Sequence, residues 1–172
     1  MENLSYTNFV PLADKRYDAI SAKIRETFPN ACVSYVYSIE NPTLIERYEK
    51  KRTSCPNGIT EVDFLFHGTT PEACTPIILD GFKMEMNCTS AYGRGTYLSK
   101  HAKYSRNYAR SSTQSSTRNT SAKDSNPFIH MFVCSALVGR TAIFPSNQKI
   151  DLSIADSGID SIDAQYVHHS RR

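Results

Sequence analysis

Residues 128–138 form the strongest strand pattern in this chain, and Gly139 closes it. Further strand candidates follow at 141–144 and 165–168, so strands outnumber helices in the second half. Helical patterns concentrate in the first half. Tyr17, Ile20, Ile24 and Phe28 recur at helical spacing, which predicts an amphipathic helix over 14–28 ended by Pro29-Asn30. No regular alternation of strand and helix appears anywhere. That arrangement favours an α+β fold with antiparallel sheets over a doubly wound parallel one.

The remaining elements can be placed more briefly. Val33, Tyr35, Tyr37 and Ile39 alternate with smaller or polar residues, as in a half-buried strand. Asn41-Pro42 pairs a capping residue with proline at the first helical position, predicting a short helix through Leu44, Ile45 and Tyr48. Residues 50–58 are charged and turn-rich and read as a loop. A compact strand at 62–66 runs straight into His67-Gly68. Thr70-Pro71 starts another helix, 71–79, and Asp80-Gly81 ends it. Residues 95–99 read as a strand and 101–110 as a helix. Residues 111–127 are rich in Ser, Thr, Asn and Gln, the composition of a long exposed loop.

A chain of 172 residues is one domain by length, 1–172, and can bury a sizeable core. The net charge of +3 gives no strong nucleic-acid signal, though a mild positive bias would attract an anionic dinucleotide. No apolar run approaches the roughly 20 residues of a membrane helix, and 1–6 has no secretory pattern. Five cysteines, an odd number without C-x-x-C spacing, point to reduced, mostly buried thiols in an intracellular protein, cytoplasmic or nuclear. Five histidines match no zinc spacing, so no metal site is expected.

Two short motifs stand out against this background. One is Leu65-Phe66-His67-Gly68-Thr69. The other is Tyr92-Gly93-Arg94-Gly95-Thr96-Tyr97-Leu98-Ser99, followed by Tyr104-Ser105-Arg106-Asn107-Tyr108. Alone, His67-Gly68 reads as a plain turn, and each tyrosine as a core aromatic with a satisfied hydroxyl. Gly93-x-Gly95 is not the Rossmann fingerprint: it lacks the third glycine, and a strand follows where a helix should. Ser105 and Tyr108, three apart, would project from one helical face. Tyr97 would sit in a strand, opposite in direction to Thr96 and Leu98. Together the motifs supply an imidazole, a glycine backbone, a hydroxyl and two tyrosines, which suit a flat cationic ring carrying a carboxamide.

In this order, the motifs resemble the donor site of the poly(ADP-ribose) polymerase family, more its mono-ADP-ribosylating branch than its polymerases. Outside them, Ile39-Glu40-Asn41-Pro42-Thr43-Leu44 with Tyr48, the strand at 128–140, and Asp156-Ser157 with Val167-His168 are similar to other family segments, so the likeness spans roughly 5–172. The resemblance implies an ADP-ribosyltransferase-like fold and NAD as co-substrate. It gives His67 and Tyr97 as catalytic. His67 would bond the adenine-linked ribose, and Thr69 would add a ribose contact. Gly68 would pair its backbone with the nicotinamide carboxamide, and Ser105 would donate a third bond to it. Tyr108 would stack on the ring with Tyr97 as the opposite wall, and small Ser99 would leave room for it.

The activity so implied is NAD-dependent mono-ADP-ribosylation of protein side chains, with release of nicotinamide. The chemistry is cleavage of a C–N glycosidic bond through an oxocarbenium-like transition state, as in glycoside hydrolysis. The alternative is a catalytically silent module that binds NAD, ADP-ribose or a partner. The family carries its third catalytic position on a strand later than Arg172; Asp160 and Asp163 come too early and read as surface carboxylates. The resemblance thus implies last strands missing from this stretch, weak or no activity, and an unpaired sheet edge prone to dimerisation or aggregation.

Overall fold

The computed structural model describes residues 6–54, 60–86, 95–109, 128–145 and 160–165. It has the expected α+β character. β1 (Thr7–Val10) pairs antiparallel with β2 (Val36–Ile39), matching Val10 to Val36 and Phe9 to Tyr37. Here the alternation is inverted relative to expectation. Val10 and Val36 are buried, whereas Tyr35, Tyr37 and Ile39 lie on the exposed face. Phe9 and Tyr37 cover each other edge-on at 5.8 Å, and Tyr35 leans on Phe128 at 6.0 Å. The Phe9–Tyr37 pair is a cross-strand ring contact on a face that the period-of-two pattern assigned to the interior.

α1 (Lys15–Thr27) starts at Asp14, whose Oδ1 accepts the Arg16 amide at 2.8 Å. α2 (Pro42–Thr53) runs further than the sequence indicates, through residues assigned to a loop. A Glu49–Arg52 ion pair one turn apart and three basic residues near the helix's negative end make its charged tail helical. α3 (Pro71–Asp80) ends at Gly81, where φ is +82°, a conformation that favours glycine. Asn41 joins α2 to α3. Its Oδ1 accepts from the amides of Thr43 and Leu44 at 3.1 and 3.3 Å, and its Nδ2 donates to the carbonyls of Ile78 and Leu79 at 3.0 and 2.9 Å. One buried side chain therefore caps the start of one helix and the end of another.

β3 (Glu61–Thr69) and β4 (His130–Leu137) form the central antiparallel pair. β3 does not stop before His67. It continues through His67, Gly68 and Thr69, which face Phe132, Met131 and His130. The ladder to β4 outweighs the poor strand propensity of Gly68. The pairing is irregular between Val62 and Leu65, where Phe64 has φ of +56°. β5 (Thr141–Pro145) and β6 (Ser161–Gln165) pair in parallel, unlike the other two pairs. The stretch between them is long enough for a crossover. β6 lies earlier than the strand candidate at 165–168, whose last three residues fall outside the described residues. Asp160 is exposed, as expected, but structured: its Oδ2 accepts the Arg140 amide at 3.0 Å beside Gly139, whose φ is +56°.

No described cysteine is fully buried: Cys32 is exposed, and Cys74 and Cys134 are half-buried free thiols. Cys55, Cys88 and 111–127 lie outside the described residues. Among the described residues, no helix is long and apolar enough to cross a membrane, and no three His, Cys, Asp or Glu side chains gather as a metal site.

Candidate functional site

Phe66, fully buried on β3, organises the site through its backbone. Its amide donates to the Ser99 carbonyl at 2.7 Å and its carbonyl accepts the Ser99 amide at 3.0 Å. This single antiparallel bridge is the only described pairing on the β3 edge away from β4. Residues 95–98 are therefore not the strand expected of them; pairing is confined to Ser99. The same Phe66 carbonyl also accepts the Ser105 hydroxyl at 2.9 Å, and Ser105 is buried. One carbonyl thus anchors both halves of the second motif next to the first.

Backbone groups alternate in direction along a strand. Since the amide and carbonyl of Phe66 point to Ser99, those of Gly68 point to the same edge, away from β4. No turn, loop or side-chain hydrogen bond among the described residues uses either group. Gly68 is buried there, and buried backbone donors and acceptors require partners. An edge with one amide, one carbonyl and the Ser105 oxygen beside them is complementary to a primary carboxamide. The lack of a side chain at Gly68 is also necessary. A β-carbon would stand 2.7 Å from the Ser105 carbonyl carbon, closer still to its oxygen, and 3.4 Å from Ala109 Cβ.

His67 lies on the adjacent position. Its Nδ1 is 2.9 Å from the Tyr97 carbonyl. A carbonyl only accepts, so Nδ1 carries the proton and Nε2 of the neutral ring is an acceptor. Phe82 holds the ring edge-on at 4.8 Å and packs in turn on Phe132, the cross-strand neighbour of His67, at 5.9 Å. Neither phenylalanine was legible as part of the site, since no short motif includes them.

α4 (Ala102–Ser105) is shorter than the helix expected over 101–110 and tightens into a 3-10 turn over Arg106–Tyr108. The Ser99 hydroxyl accepts the His101 amide at 3.0 Å, and the Ala102 amide reaches Thr27 Oγ1 at 2.9 Å, fixing α4 to β3 and α1. The 3-10 turn changes the angle between Ser105 and Tyr108. They do not share an environment: Ser105 is 3% exposed and Tyr108 50%. Tyr108 offers its ring outward, with its hydroxyl 2.9 Å from that of Tyr104.

The structure therefore brings His67, Gly68, Tyr97, Ser99 and Ser105 around the last turn of β3, with Tyr108 at the rim. Tyr97 meets His67 through its carbonyl, outside any strand. Thr69 is on β3 at 6% exposure, which leaves its side chain little surface for a ribose. In this structure the Ser105 hydroxyl donates to the Phe66 carbonyl, which leaves its oxygen lone pairs for a further partner. Tyr92, Gly93 and Arg94 lie outside the described residues.

Comparison with known proteins gives a family match and a relative. The model of the poly(ADP-ribose) polymerase catalytic domain matches residues 15–170. Over 111 residues, 62% of this chain, the sequence is 30% identical to "Protein mono-ADP-ribosyltransferase PARP14" of Homo sapiens, and the match covers 6% of that protein's length.

Proposed function

Since the chain belongs to the poly(ADP-ribose) polymerase catalytic-domain family, we propose that it binds NAD at the β3 edge and transfers a single ADP-ribose unit to a protein side chain. The observation that carries this reading is the Gly68 edge. Its amide would donate to the carboxamide oxygen, and its carbonyl and the Ser105 oxygen would accept the two amide protons. All three polar sites of a nicotinamide carboxamide are then satisfied, and its leaving group is oriented before the bond breaks. Tyr108 supplies an aromatic face for the positively charged ring. His67, with Nε2 available and its ring braced by Phe82, would accept a ribose hydroxyl. The substrate's own contribution is a labile C–N glycosidic bond.

Two observations support transfer of one unit. Of the late carboxylates, Asp160 is engaged with Arg140 at the Gly139 turn, on a different strand pair from the Gly68 edge. The relative named above is a mono-transferase by its printed name. Incubation with NAD labelled in the adenosine part tests the proposal. Label on protein at one ADP-ribose per site, read by mass spectrometry, supports it. Chains of several units contradict the single-unit product. Binding of NAD without any transferred label makes the chain a silent binding module.

A further inference from the structure

Tyr108 sits half exposed on a short 3-10 turn, where an aromatic ring is held by few neighbours. Its hydroxyl is 2.9 Å from that of Tyr104, and the two rings lie 5.5 Å apart at 58°. Tyr104 is rooted independently: its amide donates to the His101 carbonyl at 3.0 Å, in the one turn of α4 fixed to Thr27. The four-residue spacing puts both side chains on one side of the α4–turn junction. We infer that Tyr104 is a positioning residue for the donor site, fixing through its hydroxyl the tilt at which Tyr108 presents its ring to nicotinamide. This rests on the donor-site reading and extends it to a residue outside both motif halves' ligand-facing groups. The hydrogen bond to Tyr108, and after it partial burial, raises the pKa of Tyr104, so its hydroxyl keeps its proton further into the alkaline range. A ring fixed in advance loses less rotamer freedom on stacking, which is the origin of the expected gain in affinity.

The test is a double-mutant cycle on the full chain, with nicotinamide as the calorimetric probe and tyrosine-ring NMR as the structural one. Tyr104→Phe and Tyr108→Phe each delete one hydroxyl and keep both rings. Each should weaken nicotinamide about threefold, the scale of one partly exposed hydrogen bond. The double variant should be no weaker than either single one, because both remove the same bond. In Tyr104→Phe, the Tyr108 ring signals should move while the amide signals of β3 stay in place. Wild-type affinity in Tyr104→Phe, with clear loss in Tyr108→Ala, overturns the positioning role and leaves the donor site standing. Unchanged affinity in Tyr108→Ala overturns both. Additive losses in the double variant also overturn it, since two independent effects are not one shared bond.

Discussion

The backbone carbonyl of Ser105 occupies the space in which a side chain on Gly68 would begin. Strand and helix end meet there backbone to backbone. The glycine is required by that approach and not by a left-handed φ. Gly68→Ala must push α4 off β3 or bend β3, and overpacking of this kind costs about 1–3 kcal/mol. Chemical denaturation should show that loss, together with loss of nicotinamide binding. A Gly68→Ala variant as stable as wild type would contradict the close approach of Ser105 to Gly68.

Asn41 serves two helix ends with one amide. Asn41→Asp keeps the acceptor for Thr43 and Leu44 but places a carboxylate against the carbonyls of Ile78 and Leu79. Asn41→Ala leaves both ends open in a buried site. We expect both to destabilise by about 1–3 kcal/mol, the scale of buried polar groups left without partners. An aspartate variant at wild-type stability would show that only the cap of α2 matters.

Ser21, on α1, is buried, and its Oγ has no hydrogen-bond partner among the described residues. Ser21→Ala removes a polar atom that folding desolvates without return. Thermal melting should show equal or higher stability, by up to about 1 kcal/mol. A clear drop would reveal a partner for the hydroxyl.

Burial pushes the Cys134 thiol up to about 11, from an ordinary 9.0. The fold thus favours the neutral thiol. Its contribution is complete below the unfolded value and is lost as pH rises through the folded one, so stability should fall between about pH 9 and about 11. At neutral pH, alkylation followed by mass spectrometry should label exposed Cys32 well before Cys134. Equal rates would contradict the burial of Cys134.

Much of this was legible from local signals. Pro29-Asn30, Asn41-Pro42, Thr70-Pro71 and Gly81 mark helix ends by short-range chemistry, and the structure puts ends at or next to each. The motif residues were legible as a set because they are contiguous in two short segments. What the sequence did not reveal depends on long-range pairing. β3 extends through Gly68 because β4 pairs with it. The face of β2 is set by Val10, across a sheet. Phe82 and Phe132 join the site by packing on His67, and no spacing rule connects them. The short α4 with its 3-10 turn reflects anchoring to Phe66 and Thr27, contacts 39 and 75 residues away in sequence.

Tyr108→Ala removes the aromatic face at the rim and leaves the Gly68 edge intact. Affinity for nicotinamide should fall by about 0.5–2 kcal/mol, measured by calorimetry. No change would place the ring elsewhere than on Tyr108.

The most direct measurement compares nicotinamide with nicotinate in calorimetric titrations of the wild-type chain. The two differ only in the group that meets Gly68 and Ser105. A carboxylate has no proton for the Gly68 carbonyl or the Ser105 oxygen, and it brings negative charge to both. Nicotinamide should bind and nicotinate should bind at least about tenfold more weakly, the scale of a buried acceptor left unpaired beside a charge. Equal binding of the two, or binding of neither, would contradict a carboxamide site at the β3 edge.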